Sequence, residues 1–477
     1  MPDSVFVFLM KSLRTATCAG LLPLLAFTGC TVGPKYEKPD VSALTPATWK
    51  WQQASPRDSQ PRGEWWRIFK DAELNRLEAM ALGNNQEIRM AMARIDQARA
   101  AAGLSVAAYA PDISVDGRAQ RERTSGNPPS PVPIAIPSSH INTFSVPLQL
   151  SYEIDLWGRV RRSIESANAQ VDASVGDYHS VLLSLTGDVA SQYFLIRSLD
   201  SQMAALQRTL ASQEKTFGLI DQRFTAGTIP EADHARARSE VATVKADMAD
   251  VKRQREETVN VLALLCGQPA SQFSVSRAEI QGTPPKIPAG IPADVLERRP
   301  DVAAAERLVA ARNAEIGVEI AGYFPTVSLT GQAGYLSKDT SSLFNADSRV
   351  WSFGPSVSVP ITGVFVTKAK VARARAVHEE STAKFRQSVL SAVKDVETSL
   401  IQIRYRKEQT VAQKEALDAA LKATALTRQL YEGGSISYLE LLDAERTSLL
   451  RERQYALLKA QGHIATVGLI RALGGSW

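Results

Sequence analysis

Few residues in this 477-residue sequence stand where chemistry would need them. Three cysteines, Cys18, Cys30 and Cys266, make no CxxC or paired Cys/His spacing, so neither a zinc site nor a disulfide framework is written. His140, His179, His234, His378 and His463 are scattered, and most of them read as solvated helix-face residues. His378-Glu379-Glu380 lacks the second histidine of an HExxH helix, and no GxSxG, Walker or GxGxxG motif occurs. No metal, cofactor or enzyme activity is expected. Two placements remain. Cys30 stands directly behind Thr28-Gly29, and Asp233, Glu440 and Asp443 follow glycine turns at Gly227 and Gly433-Gly434. A helix dipole favours carboxylates at such helix starts whatever else they do.

The cysteine ends a targeting segment. Lys11 and Arg14 precede an apolar stretch from Ala16 to Phe27, which is too short to span a bilayer. Residues 1–29 are therefore expected to be a signal peptide, with Met10 the better initiator because Asp3 fits an n-region badly. A small residue before a cysteine resembles a bacterial lipobox, which implies that Cys30 is the acylated first mature residue. Thr31 follows it, not Asp, and by the same resemblance the anchor is sorted to the outer membrane. Three acyl chains would hold firmly where one is marginal.

A hydrophobic content of 44% with 22% charged residues excludes a disordered chain and a polytopic helical membrane protein. The net charge of +5 is spread among interleaved acids and bases, so nucleic acid is not an expected partner. The chain is written twice. Phe224-Thr225-Ala226-Gly227-Thr228-Ile229 recurs 207 residues later as Tyr431-Glu432-Gly433-Gly434-Ser435-Ile436. Tyr109-Ala110-Pro111 recurs 214 residues later as Tyr323-Phe324-Pro325. The unit is too long for a solenoid repeat and reads as a duplicated half-protein. The expected division is a lipidated linker over 30–63, a first repeat over 64–267, a connector over 268–292 and a second repeat over 293–477.

Each copy carries period-two segments. Ile113 and Val115, then Phe144, Val146, Leu148, Leu150, Tyr152 and Ile154, alternate with polar residues. Val327 to Tyr335 and Trp351 to Ile361 do the same in the second copy, with Val357 and Val359 on the apolar phase. Such strands suit a membrane barrel better than a globular sheet, and aromatic residues near their ends suit an interfacial girdle. Asn127 to Pro137 and Lys338 to Arg349 are the expected exposed loops. A helical pattern covers Glu64 to Ala108 in the first copy and Ala293 to Ile320 in the second. Proline-free helical runs follow the strands, from Arg159 to Phe224 and from Thr367 to Tyr431. Val189, Ile196, Met203, Leu210, Phe217 and Phe224 form a heptad seam in the first. At 1.5 Å per residue each run is about 100 Å long. Both turn back at glycines into a second helix, making either a coiled-coil rod or part of a tunnel wall.

Four amphipathic strands cannot close a barrel alone, and open edges are forbidden in lipid. Oligomerisation to eight or twelve strands is required. Cys30-Thr31-Val32-Gly33-Pro34-Lys35-Tyr36, Glu64-Trp65-Trp66, Tyr152-Glu153-Ile154-Asp155-Leu156-Trp157-Gly158-Arg159 and Glu297-Arg298-Arg299-Pro300-Asp301-Val302 together resemble the TolC-like outer-membrane factor family, nearest its NodT-type lipoprotein branch. The resemblance implies a mixed membrane α/β fold: a homotrimeric, twelve-stranded transmembrane barrel with four strands per protomer, continued by a long periplasmic helical barrel. It implies an exit duct for small molecules in a tripartite efflux pump, with a periplasmic adaptor, an inner-membrane RND transporter and outer-membrane lipid as partners. A duct for type I protein secretion and a non-channel periplasmic coiled-coil lipoprotein are the alternatives. By resemblance, Asp233, Glu440 and Asp443 line a cation-favouring periplasmic aperture, and Gly227, Gly433 and Gly434 mark the adaptor-facing tips.

Overall fold

The computed structural model describes residues 31–46, 48–49, 63–126, 137–287 and 299–475. The signal segment with Cys18 and Cys30, most of the 127–137 loop, and residues 288–298 of the connector and second-copy lead lie outside the described residues.

The helical lead is divided into α1 (Ala72–Asn84) and α2 (Gln86–Ala107), preceded by a short 3₁₀ turn at Trp65–Phe69. Periodicity alone suggested one continuous pattern. Asn85 interrupts it: its side chain caps α2 by accepting from the N–H groups of Glu87 (2.7 Å) and Ile88 (3.2 Å). Strands β1 (Asp112–Val115), β2 (Arg118–Arg123) and β3 (His140–Ile154) follow. Then come the long α3 (Arg159–Thr225) and its return α4 (Glu231–Leu265). The second copy runs α5 (Pro300–Ala321), β4 (Thr326–Ser337), β5 (Arg349–Ser358), α6 (Val364–Glu432) and α7 (Tyr438–Ala472). Helix α5 starts at Pro300, whose fixed φ suits a first helical position, and residues 293–298 of the expected helical lead lie outside the described residues.

Duplication is visible atom by atom at the helix ends. Thr228 N–H donates to Arg223 O (2.9 Å) and Ser435 N–H to Leu430 O (2.8 Å); Gln268 N–H donates to Ala263 O and Gly475 N–H to Ile470 O, both at 2.9 Å. These four six-to-one bonds fall in two pairs offset by 207 residues. Gly227 and Gly434 take φ of 71° and 75°, which is why glycine recurs there. Gly433 is an ordinary right-handed residue one position earlier.

β1 and β2 both pair antiparallel with β3 and act as one strand broken at Asp116-Gly117, so the sheet order is β1/β2, β3, β4, β5. This is four strands in effect, with both edges open among the described residues. The register sets Leu148 opposite Ala333 and Ala333 opposite Trp351, and Gln149 opposite Gln332 and Gln332 opposite Ser352. One face therefore carries Ile113, Val115, Phe144, Val146, Leu148, Leu150, Val327, Leu329, Phe353 and Val357, and the other Ser114, Gln149, Ser151, Ser328, Thr330 and Ser356. Strand β5 stops at Ser358, short of the expected Ile361, so Val359 continues the alternation outside the ladder. Arg replacing Leu148 is expected to cost about 2–4 kcal/mol of barrel stability and Arg replacing Gln149 little; equal loss of heat-resistant assembly in the two variants would contradict this assignment.

The heptad seam of α3 is buried where it is flanked. Val189, Ile196 and Leu206 have no exposed surface, while Phe224 at the tip is open. The largest core lies midway along α3, where Leu74 and Leu77 of α1, Tyr193 and Ile196 of α3, Leu262 of α4 and Val467 and Ile470 of α7 converge. His463 is buried there between Phe69 and Phe194, with ring centroids 6.1 and 4.6 Å away. Desolvation holds its imidazole below the usual range. The solvated reading of the histidines fails for this residue, because the aromatic belt of Phe69 and Phe194 closes over the helix face that carries it.

Candidate functional site: the duct wall, its tips and its anchor strap

A wall with one apolar and one polar face has the chemistry of a membrane duct. Polar side chains from all four strands share one concave face: Asp112 and Ser114, Gln149 and Ser151, Thr330 and Gln332, and Ser352. On the reverse face Trp351 and Phe353 are 80% and 66% exposed, as a face turned to lipid or to a neighbouring protein would be. Arg159 and Arg161, just past β3, are neutralised by Glu153 (2.6 Å) and Asp155 (3.2 Å).

At the opposite end the two hairpins meet tip to tip. Ile220, Ala237, Tyr431, Tyr438, Leu441 and Leu442 make a small apolar core there. The three carboxylates singled out in the sequence are brought to this end, in unequal circumstances. Asp233 sits in the first turn of α4 and pairs with Arg236 at 3.1 Å. Glu440 closes the start of α7: its Oε1 accepts from Ser437 N–H (3.3 Å) and Ser437 Oγ–H (3.0 Å). Asp443 is exposed, with Arg446 nearby. The single chain does not bring the three together as one cluster.

Sequence reading missed the bonds that hold the two hairpins to each other. Glu240 of α4 pairs with Arg446 of α7, and Asp247 with Arg453 (2.9 Å). Glu445 of α7, itself buried, accepts from Arg428 of α6 (2.7 Å) and from Ser212 of α3 (3.2 Å). The signal was present: acids at 240 and 247 and arginines at 446 and 453 repeat at heptad spacing on corresponding helices.

The strap after Cys30 was also missed as a docked element. Val32 N–H donates to Trp157 O (3.0 Å), and Arg162 Nε donates to Val32 O (3.3 Å). Asn313 Nδ2 donates to Pro34 O (3.1 Å), and Tyr36 donates its hydroxyl to Glu306. Gly33 lies so close to Gly317 that a Cβ would come within 2.5 Å of its Cα. Thr31 packs on Gly158, at the junction of β3 and α3. The strap thus ends beside the sheet's helix-proximal rim, and Cys30 itself lies outside the described residues.

Comparison with known proteins agrees with this architecture over nearly its whole length. A model of the family described as outer membrane efflux protein matches residues 77–268 and 291–475. Outer membrane protein OprJ of Pseudomonas aeruginosa is 32% identical over 470 residues, covering 96% of this chain and 95% of its own. The solvent efflux pump outer membrane protein SrpC of Pseudomonas putida is 33% identical over 467 residues, covering 96% and 97%. The solved structure of the outer-membrane channel OprN superposes with a TM-score of 0.83 at 29% identity, covering 94% of this chain and all of that one. The shared fold is a trimeric channel, in which four strands per protomer make a twelve-stranded barrel continued by a helical barrel. With its duplicated halves, two-faced open sheet and paired helical hairpins, the chain belongs to the outer membrane efflux protein family.

Proposed function

We propose that this protein is the exit duct of a tripartite efflux pump, receiving small molecules from an inner-membrane RND transporter through a periplasmic adaptor. The observation that carries the reading is the register. Across the rows from Ser114 to Ser356 one sheet face is polar and the other apolar, with both sheet edges unpaired among the described residues of the single chain. Edges in lipid must be satisfied by neighbouring copies, and a twelve-stranded closure turns the polar face inward around water. No step of such transport requires catalysis by this chain. Purified trimer in a planar bilayer should conduct ions, and cells deleted for the gene should become sensitive to pump substrates. A non-conducting trimer that restores resistance would overturn the duct reading.

In the duct the hairpin tips at Gly227 and Gly433-Gly434 point away from the membrane toward the adaptor. Asp233, Glu440 and Asp443 become rings of three at the closed end. Two like charges 4 Å apart at an effective dielectric near 20 repel by about 4 kcal/mol, so the rings stay charged only if wide, wet or paired. Asp233 has Arg236 and Glu440 has the helix start, which leaves Asp443 as the more open charge. Replacing Glu440 and Asp443 with Ala is expected to weaken cation selectivity and block by multivalent cations in planar-bilayer recordings. Unchanged selectivity would put the constriction elsewhere.

Cys30 carries the lipid anchor in this reading, supported by the strap that ends against Gly158 at the sheet's rim. Cys30→Ala should abolish lipid labelling while part of the trimer persists, because barrel insertion is a separate source of membrane affinity. An unmodified mature chain by intact mass would contradict acylation.

A further inference from the structure

The outward apolar row of β5 within the ladder is too short for the bilayer it must cross. Arg349, opposite Tyr335 and in the row of Val146, ends the apolar row of β5 on one side. The last ladder row on the other side is Ile154, Val327 and Val357. On β5 the row from Trp351 to Val357 is about six residue steps, about 20 Å along a strand and about 15 Å along the membrane normal at a tilt near 40°. An outward apolar band is about 25 Å tall, so about four more residues of this strand are needed. Val359 and Ile361 supply them, continuing the outward phase beyond β5 at 59% and 85% exposure. Phe365, in the first turn of α6, is 80% exposed beside them in sequence. Trp157 stacked on Phe324 (4.7 Å) lies just past the same ends of β3 and before β4, and Thr31 of the strap reaches that level at Gly158.

Directly after this apolar knuckle the charge becomes one-sided. Lys368, Lys370, Arg373 and Arg375 are all exposed, and the first acid on α6 is Glu379. Among the described residues none of the four has an ion-pair partner. The first copy differs: Arg159, Arg161 and Arg162 at the start of α3 are paired with Glu153, Asp155 and Glu165. Unpaired cations one to three turns below an apolar girdle stand at headgroup depth, where each Lys or Arg gains about 1 kcal/mol from anionic lipid. Lys368 and Arg375, seven apart, share one helix face; Lys370 and Arg373, three apart, share another.

We infer that residues 359–375 form a docking surface for anionic glycerophospholipid of the periplasmic leaflet, with Val359, Ile361 and Phe365 in the acyl boundary and the four cations on the phosphates. The inference goes beyond the duct reading: its failure would leave conduction intact, and a non-conducting trimer would still show or lack lipid selectivity.

The test uses the full lipidated trimer in vesicles of phosphatidylcholine with or without phosphatidylglycerol. Spin-labelled phosphatidylglycerol should associate with the wild-type trimer in preference to spin-labelled phosphatidylcholine. That preference should fall about fivefold for each cation that faces the leaflet when K368Q/R375Q and K370Q/R373Q are made, and vanish when both pairs are combined. An undiminished preference in the quadruple variant overturns the inference. A second measurement leaves the charges untouched. Ile361→Cys carrying an environment-sensitive fluorophore should be quenched by doxyl-labelled lipid, with the parent trimer labelled in parallel as the blank, since Cys266 is buried and its thiol is pushed up to about 12. A probe shielded from lipid also overturns it, because the knuckle would then be a protomer contact.

Discussion

Replacing Asp200 with Ala should destabilise the protein by about 3–5 kcal/mol, the usual effect of stripping the partner from buried charge. Asp200 on α3 is buried with Arg197 and Arg255. Its Oδ1 accepts from Arg255 Nε at 2.6 Å, and its Oδ2 accepts from Arg197 Nη1 and from Ala278 N–H, both at 3.2 Å. The two guanidinium groups also donate to the connector backbone, Arg197 to Ser276 O (2.5 Å) and Arg255 to Val275 O (2.8 Å). One carboxylate therefore neutralises two cations and pins the connector to the middle of the long hairpin. Without it, Arg197 stays buried with no carboxylate paired to it among the described residues and Arg255 keeps only Glu256 at 3.5 Å, and the connector loses its clamp. Denaturation of the purified variant should show the loss, and limited proteolysis should open the chain near residues 275–280. Changing Asp200, Arg197 and Arg255 together to apolar residues should recover much of the stability, since replacing a whole buried ionic group is far cheaper than breaking it. A variant as stable as the parent would mean that the cluster is solvated in the assembled trimer.

Replacing Glu78 with Gln should stabilise the protein by about 3 kcal/mol at pH 7. Glu78 lies in α1 with no exposed surface, and neither carboxyl oxygen has a hydrogen-bond partner among the described residues. Burial pushes its pKa up to about 9 from an ordinary 4.5. The folded state therefore holds a proton that the unfolded state releases between those values, so stability is fully present below the unfolded pKa and is lost as pH rises toward the folded one. At pH 7 the loss spans about 2.5 pH units at 1.36 kcal/mol each. Glutamine keeps the shape and stays neutral in both states, so the variant should match the parent near pH 4.5 and exceed it progressively above. Denaturation midpoints measured across that range check the sign as well as the size. Parallel profiles for the two proteins would show that Glu78 is ionised in the fold and has found a cation.

Glu78 also marks where sequence reading stops. Its neighbours Leu74, Leu77 and Ala81 announce a buried helix face by periodicity, but nothing in the pattern says that an acid in their midst is buried too. That depends on α1 lying against α3 and α4, where Cys266 Sγ reaches Leu77 O at 3.7 Å. The aperture carboxylates show the same limit. Their place after glycine turns was legible, because only a left-handed residue can end these helices as they do. That Glu440 is engaged at its own helix start and Asp443 is open came from side-chain geometry.

Local pattern was enough for the periodic features: two copies, strands with one apolar phase, proline-free heptad helices and the turns between them. Each is a local pattern repeated often enough to overrule its exceptions. Which single polar residues meet depends on how the helices pack. Glu240 finds Arg446, Asp200 finds the connector, and Thr31 finds Gly158 across intervals of more than a hundred residues or through a loop with no period. Such pairings follow from where long rigid helices place distant side chains, and a one-dimensional pattern holds no record of that distance.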